Sequence, residues 1–247
     1  MSSVFLDADL PSVTQALQIH TNRDFCPAWN LAPVQFYWTP AGRHAPADHQ
    51  AIYLLDNADV AGELGVHDKT TTGMALGKVF VKTTLANGGS VSNVLCHESD
   101  EMQVDPRIGL LAQKGSGSYA YETDDAVERD QDGYDVDVPA NFTGGPAKVR
   151  MSNFCLPAWF DEVATVGPYD FMGQLTAPFT LRPGGYANVL TATGWTQIFG
   201  ADTPAAERMA ARPRPGSRRS RRSIPKSEWQ LSSYSPGTEA HPAEATT

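Results

Sequence analysis

Val91-Ser92-Asn93-Val94-Leu95-Cys96-His97-Glu98-Ser99-Asp100-Glu101-Met102-Gln103-Val104-Asp105-Pro106 is the stretch that decides how the rest of the chain is read. Gly88 and Gly89 interrupt regular structure ahead of it, and Ser90 or Ser92 can cap a helix start. Val91, Val94 and Leu95 supply an apolar face, and Pro106 limits the end. The spacing predicts a helix, and on a helix residues four apart share a face. His97 and Glu101 therefore stack over one another and can hold one cation together, with Glu98 beside them.

The chemistry of such a pair is that of H-E-x-x-H zinc hydrolases, with Glu101 in the place of the second histidine. Zinc accepts imidazole nitrogen and carboxylate oxygen, and a catalytic site needs three protein ligands with one position open. Glu98 is the candidate base that takes a proton from the attacking water. Glu101 adds negative charge, which weakens the ion as a Lewis acid and admits a divalent ion harder than zinc. The third ligand is open. Asp105 continues the stripe, but helical rise puts it about 12 Å along the axis from His97, within reach of one ion only if the helix ends or bends. Glu122, Asp124, Asp125 and Glu128 in the acidic segment downstream, and His67 upstream, are the other candidates. The competing reading of the same string is a solvated acidic face with His97 hydrogen-bonded in a core.

Outward from the motif, residues 11–30 read as a helix, with Val13, Leu17 and Phe25 on one face and Pro11 in the first turn. Residues 34–38 alternate and are aromatic, so they predict a strand, and Ala51–Leu55 predicts a buried one. Residues 77–83 predict a third strand, nearer an edge because lysines alternate with apolar residues. Beyond the motif, 118–122 and 148–154 predict strands around an acidic turn region, and 157–161 and 183–186 predict structured loops. Tyr186–Thr191 predicts a last strand, paired with 179–182. Glu128-x-Asp130-x-Asp132-Gly133 resembles the start of a calcium loop, but its twelfth position is Pro139 rather than glutamate, which excludes an EF-hand. Cys96 and His97 point about 100° apart on a helix and cannot form a nucleophile–base dyad.

Composition bounds the classes. The chain has 247 residues, and 41% of them are hydrophobic, enough for one large core. No apolar run approaches the roughly 20 residues that span a bilayer. The start, Met1-Ser2-Ser3-Val4-Phe5-Leu6-Asp7, lacks the basic and apolar regions of a secretory signal, so a cytoplasmic protein is expected, with packaging into a virion left open. Cys26, Cys96 and Cys155 are widely spaced and odd in number, so they read as small buried hydrophobes rather than a disulfide framework. Of the 19 Lys/Arg and 28 Asp/Glu, eight and four follow Pro204, leaving a body of net −13 and a tail of net +4. An acidic body argues against nucleic-acid binding by the folded part. The tail, 205–247, with Arg212-Pro213-Arg214-Pro215-Gly216-Ser217-Arg218-Arg219-Ser220-Arg221-Arg222, is expected to be disordered and to offer a contact to an acidic or virion partner.

The motif, read from Ser92 to Pro106, resembles a family of bacterial and tailed-phage proteins that share S-H-E-x-x-E-M-x-x-D-P. The likeness extends to Arg23-Asp24-Phe25-Cys26-Pro27-Ala28-Trp29, Gly65-Val66-His67-Asp68, Val149-Arg150-Met151-Ser152-Asn153-Phe154 and Ala177-Pro178-Phe179-Thr180-Leu181-Arg182-Pro183-Gly184-Gly185-Tyr186. It implies a fold similar to the zincin (metzincin-like) core and a metallopeptidase ancestry. The chain departs from the pattern at Cys96, usually Ser, at Ser99-Asp100, usually apolar, and at 121–128, where the family has a Cys and a Pro. The expectation is one zincin-like α/β (α+β) domain over 1–204. Its expected function is a metal-dependent hydrolase of peptide bonds, with zinc as cofactor. His97 and Glu101 bind the metal with one of Asp105, Glu122 or Asp125, and Glu98 is the catalytic base. The alternative is a phage-derived structural or interaction protein that keeps the fold without turnover.

Overall fold

Twenty residues at the N-terminal side wind as one continuous helical run: α1 (Leu10–Ile19), a π-helical turn (His20–Phe25) and α2 (Cys26–Trp29). Asn30 ends it in the left-handed conformation, φ 51°. The run is the one expected at 11–30; the π turn within it is not signalled by periodicity. Such turns insert a residue into the helix and cluster at functional sites. Here the turn directs His20, Thr21, Asp24 and Phe25 inward. This computed structural model describes residues 2–201 apart from 6, 44, 47, 59–62, 71 and 140–147. The basic tail and its expected partner contacts lie outside the described residues.

Residues 34–38 form no strand. Burial alternates as expected, but the helix side chains take the backbone groups that a neighbouring strand would use. Gln18 Oε1 accepts the Phe36 N–H at 2.9 Å, Asn22 Oδ1 accepts the Val34 N–H at 2.9 Å, and both amides donate to the Val34 carbonyl. The backbone is satisfied without a ladder.

The sheet beside the motif comprises β1 (Ala51–Leu55), β2 (Gly65–Lys69) and β3 (Ala75–Phe80) in the order β1-β3-β2. β3 runs parallel to β1 and antiparallel to β2. The expected edge strand at 77–83 is thus the central one, and it stops at Phe80, where α3 (Val81–Ala86) begins. Lys78 misled because it is buried, not solvated, on the sheet face shared with Leu76 and Phe80. With both edges hydrogen-bonded, β3 has none to offer an extended peptide.

The motif helix α4 (Val91–Val104) lies across the other face of this sheet, and 11 of its 14 residues are buried. Ser90 is its N-cap, and Asp130 Oδ1 accepts the Ser90 N–H at 2.9 Å. The acid that resembled a calcium ligand therefore secures a helix start, while Asp132 pairs with Arg182 at 2.9 Å. After α4 come β4 (Leu111–Lys114), β5 (Gly117–Ala120), β6 (Tyr134–Asp137), β7 (Lys148–Met151), β8 (Tyr186–Thr191) and β9 (Gly194–Phe199). Four of them form an antiparallel sheet ordered β4-β5-β8-β9, and β6 pairs with β7. The hairpin partner of β8 is β9, not 179–182; Phe179, at φ 55°, instead buries its ring against Trp159 and Tyr119. The architecture is α+β. Among the described residues no helix is long and apolar enough to cross a membrane.

Candidate metal centre

α4 is enclosed on all sides, so each of its faces meets a different neighbour. Leu95, Ser99, Met102 and Gln103 border a cavity of about 530 Å3 lined by Phe36, Trp38 and other residues of the N-terminal half. At about 100° per residue, His97 and Glu101 point to the opposite side. There they meet β2, which carries His67, and the segment after β5, which carries Glu122, Asp124 and Asp125. That segment is pinned by the Cys155 N–H donating to the Thr123 carbonyl at 2.7 Å and by a short 3-10 turn, Asp125–Val127.

Five side chains converge. His97 Nε2 lies 3.3 Å from Glu101 Oε1 and 3.4 Å from Asp125 Oδ1. His67 Nδ1 lies 3.2 Å from Glu101 Oε2 and 3.3 Å from Glu98 Oε2. All five are buried, with His97 at 7% the most exposed. The set includes the expected His97, Glu98 and Glu101, and it selects Asp125 as the acid that joins His97. Glu122 Oε2 stands behind His67, 3.8 Å from Nε2, an ion-pair distance rather than a hydrogen bond. Asn188 donates to Asp125 Oδ2 at 3.3 Å. Asp124 donates its N–H to Glu101 Oε1, and its own Oδ1 accepts the Thr123 hydroxyl. Asp105 lies elsewhere: its two oxygens accept the Gly109 and Leu110 N–H groups at 2.9 Å, closing the loop after α4. The helix ends at Val104, as Pro106 requires, but the end turns Asp105 to this capping task. Glu128 belongs to none of the ligand groups found among the described residues.

The separations discriminate between kinds of contact. A charge-assisted N–H···O hydrogen bond is about 2.7–2.9 Å long. Ligand atoms bound at about 2.0–2.1 Å around a tetrahedral ion are about 3.3–3.4 Å apart, the edge of the tetrahedron. His97 with Glu101 and Asp125, and His67 with Glu98 and Glu101, show the second spacing. A third cluster, His20, Cys96 and Asp100, shows the first: His20 Nε2 is 2.7 Å from Asp100 Oδ2, and Nδ1 is 2.7 Å from the Tyr134 hydroxyl, which donates to Asp24. Burial pushes the Tyr134 phenol far up, so it stays a donor. This cluster is a hydrogen-bonded chain. It also explains how polar Asp100 sits on a buried face: His20, which sequence periodicity did not flag, arrives from the π turn to meet it, while Ser99 Oγ accepts the Gln103 amide.

No family model, curated protein or solved structure matches this chain. The geometry of the site is thus the ground for its chemistry.

The donor sets fit a divalent cation. Burial lowers the pKa of the His97 imidazolium, but Glu101 and Asp125 outweigh it and hold that pKa well above its ordinary value. A proton and a cation thus compete for one electronegative place. Burial lifts the Cys96 and Cys155 thiols, so the three free, buried cysteines are inert packing groups, as their spacing suggested. Room for Glu98 comes from Gly65 on β2: a Cβ there would stand 2.5 Å from Glu98 Oε1 and 2.8 Å from Val94 Cγ1. Gly65→Ala is expected to displace the Glu98 carboxylate and lower zinc affinity about tenfold, read by competition with a chromogenic chelator; unchanged affinity would show that Glu98 is not held by this cradle.

Proposed function

We propose that the protein is a metal-dependent hydrolase acting on peptide bonds, with zinc or a similar divalent ion held by His97, Glu101 and Asp125. The observation that carries this reading is the 3.3–3.4 Å spacing of His97 Nε2 from Glu101 and Asp125, the edge length of a tetrahedral ligand set. Three protein ligands would leave a fourth position for water or substrate. The ion supplies Lewis acidity and brings the ionisation of water near neutral pH. Glu98, one residue from His97 and with Oε2 3.3 Å from His67 Nδ1, is the proton acceptor. The resemblance of the motif to a family with a metzincin-like core supports peptide bonds as the substrate class.

The test uses the full chain loaded with zinc and a quenched-fluorescence peptide library. Glu98→Gln is expected to lower cleavage by about 10²- to 10⁴-fold while zinc stays on the His97 side. Equal turnover in Glu98→Gln and the parent would refute the base assignment. Closure of the site favours a second reading, since structural zinc centres are closed and catalytic ones open. In it the protein is a structural or interaction module that keeps the metal without turnover. Zinc bound stoichiometrically with no cleavage of any peptide would select that reading.

A further inference from the structure

We infer that Glu101 is a bridge between two cation positions, the second formed by His67 Nδ1, Glu98 and Glu101 Oε2. This inference rests on the metal-centre reading above and extends it from one ion to two.

The two oxygens of Glu101 face different partners. Oε1 belongs with His97 and Asp125, and Oε2 belongs with His67. In each group the ligand atoms lie within 4.8 Å of one another, and the two groups share only Glu101. The inner group repeats the spacing of the outer one, 3.2 Å and 3.3 Å from His67 Nδ1 to its two carboxylates, too long for a strong charge-assisted hydrogen bond and near a tetrahedral edge. Hydrolytic two-metal sites use the same arrangement, with ions about 3.5–4 Å apart.

Glu98, Glu101, Glu122, Asp124 and Asp125 are each at most 3% exposed, and this crowd of buried carboxylates favours cations over an empty site. Gly65 leaves the space that Glu98 Oε1 occupies beside His67, which lets Glu98 reach the inner position. Filling the inner position converts Glu98 from base to ligand, so the first equivalent activates the proposed hydrolysis and the second restrains it.

The experiment is metal content by mass spectrometry on the full chain, dialysed against zinc and then against metal-free buffer, with thermal unfolding to verify that each variant folds. Two equivalents are expected in the parent. His67→Gln is expected to retain one, His97→Gln to retain one, and the double variant none. His67→Ala provides a second inner-site variant should His67→Gln fail to fold. One equivalent in the parent that His67→Gln leaves in place and His97→Gln removes would overturn the bridge and leave the single-ion reading standing. No zinc in the parent would overturn both. Two equivalents insensitive to either His67 variant would place the second ion elsewhere and also overturn the inference.

Discussion

Glu101→Gln is expected to abolish tight binding of zinc at the proposed centre. Glu101 is fully buried, and each of its oxygens faces a different imidazole. An amide has one oxygen and one NH2 group, so at least one histidine then faces a donor where it needs an anionic co-ligand. Loss of a ligand exceeds the 10- to 100-fold effects typical of supporting groups, so zinc affinity is expected to fall by more than about 100-fold. In the parent, zinc at about 100 times its dissociation constant would add about 2.7 kcal/mol to folding stability, and in Glu101→Gln less than about 0.4 kcal/mol. The metal-free proteins should differ in the same sense, because Glu101 supports the buried His97 imidazolium and accepts the Asp124 N–H, so metal-free Glu101→Gln should melt below the metal-free parent. Differential scanning calorimetry with and without chelator reads both arms. A variant still stabilised by zinc as strongly as the parent would remove Glu101 from the centre.

His20→Leu is expected to cost about 3 kcal/mol of stability and no zinc. His20 is wholly buried, with both ring nitrogens engaged at 2.7 Å, and it packs edge-on to Phe154 and stacked on Phe25. Leucine replaces much of the packing but leaves Asp100, itself fully buried, without its closest partner. Removing one member of a buried, hydrogen-bonded pair carries costs of this order. Urea denaturation measures the loss, and metal analysis on the same sample measures the independence. A fall in zinc content with intact fold would show that the hydrogen-bonded chain and the metal centre are one site.

The parts of the site that could be read in the sequence are those set by local geometry. His97, Glu98 and Glu101 lie within one helical turn, so their common face follows from the rise and twist of a helix. Pro106 and the paired glycines bounded that helix. The choice among Asp105, Glu122 and Asp125 was not legible, because it depends on where the chain after β5 returns. It returns with Asp125 against His97 and Glu122 against His67, while Asp105 is taken by the loop it caps. The segment 34–38 carries a strand's alternation, yet Gln18 and Asn22 occupy its backbone groups. The lysine pattern of 77–83 suggested an edge, but sheet order depends on which strand β1 and β2 both choose.

Local sequence thus determined the motif helix, the long N-terminal helical run, the inert cysteines and the identity of the metal-binding candidates, since each follows from neighbours within a few residues. Tertiary structure alone decided that His67 and Asp125 flank α4, that His20 pairs with Asp100, and that the two oxygens of Glu101 face separate histidines. Apart from the His97–Glu101 pair, those contacts join residues 28 to 80 positions apart in the chain, and only the packing of β2, the π turn and the segment after β5 around one enclosed helix brings them together.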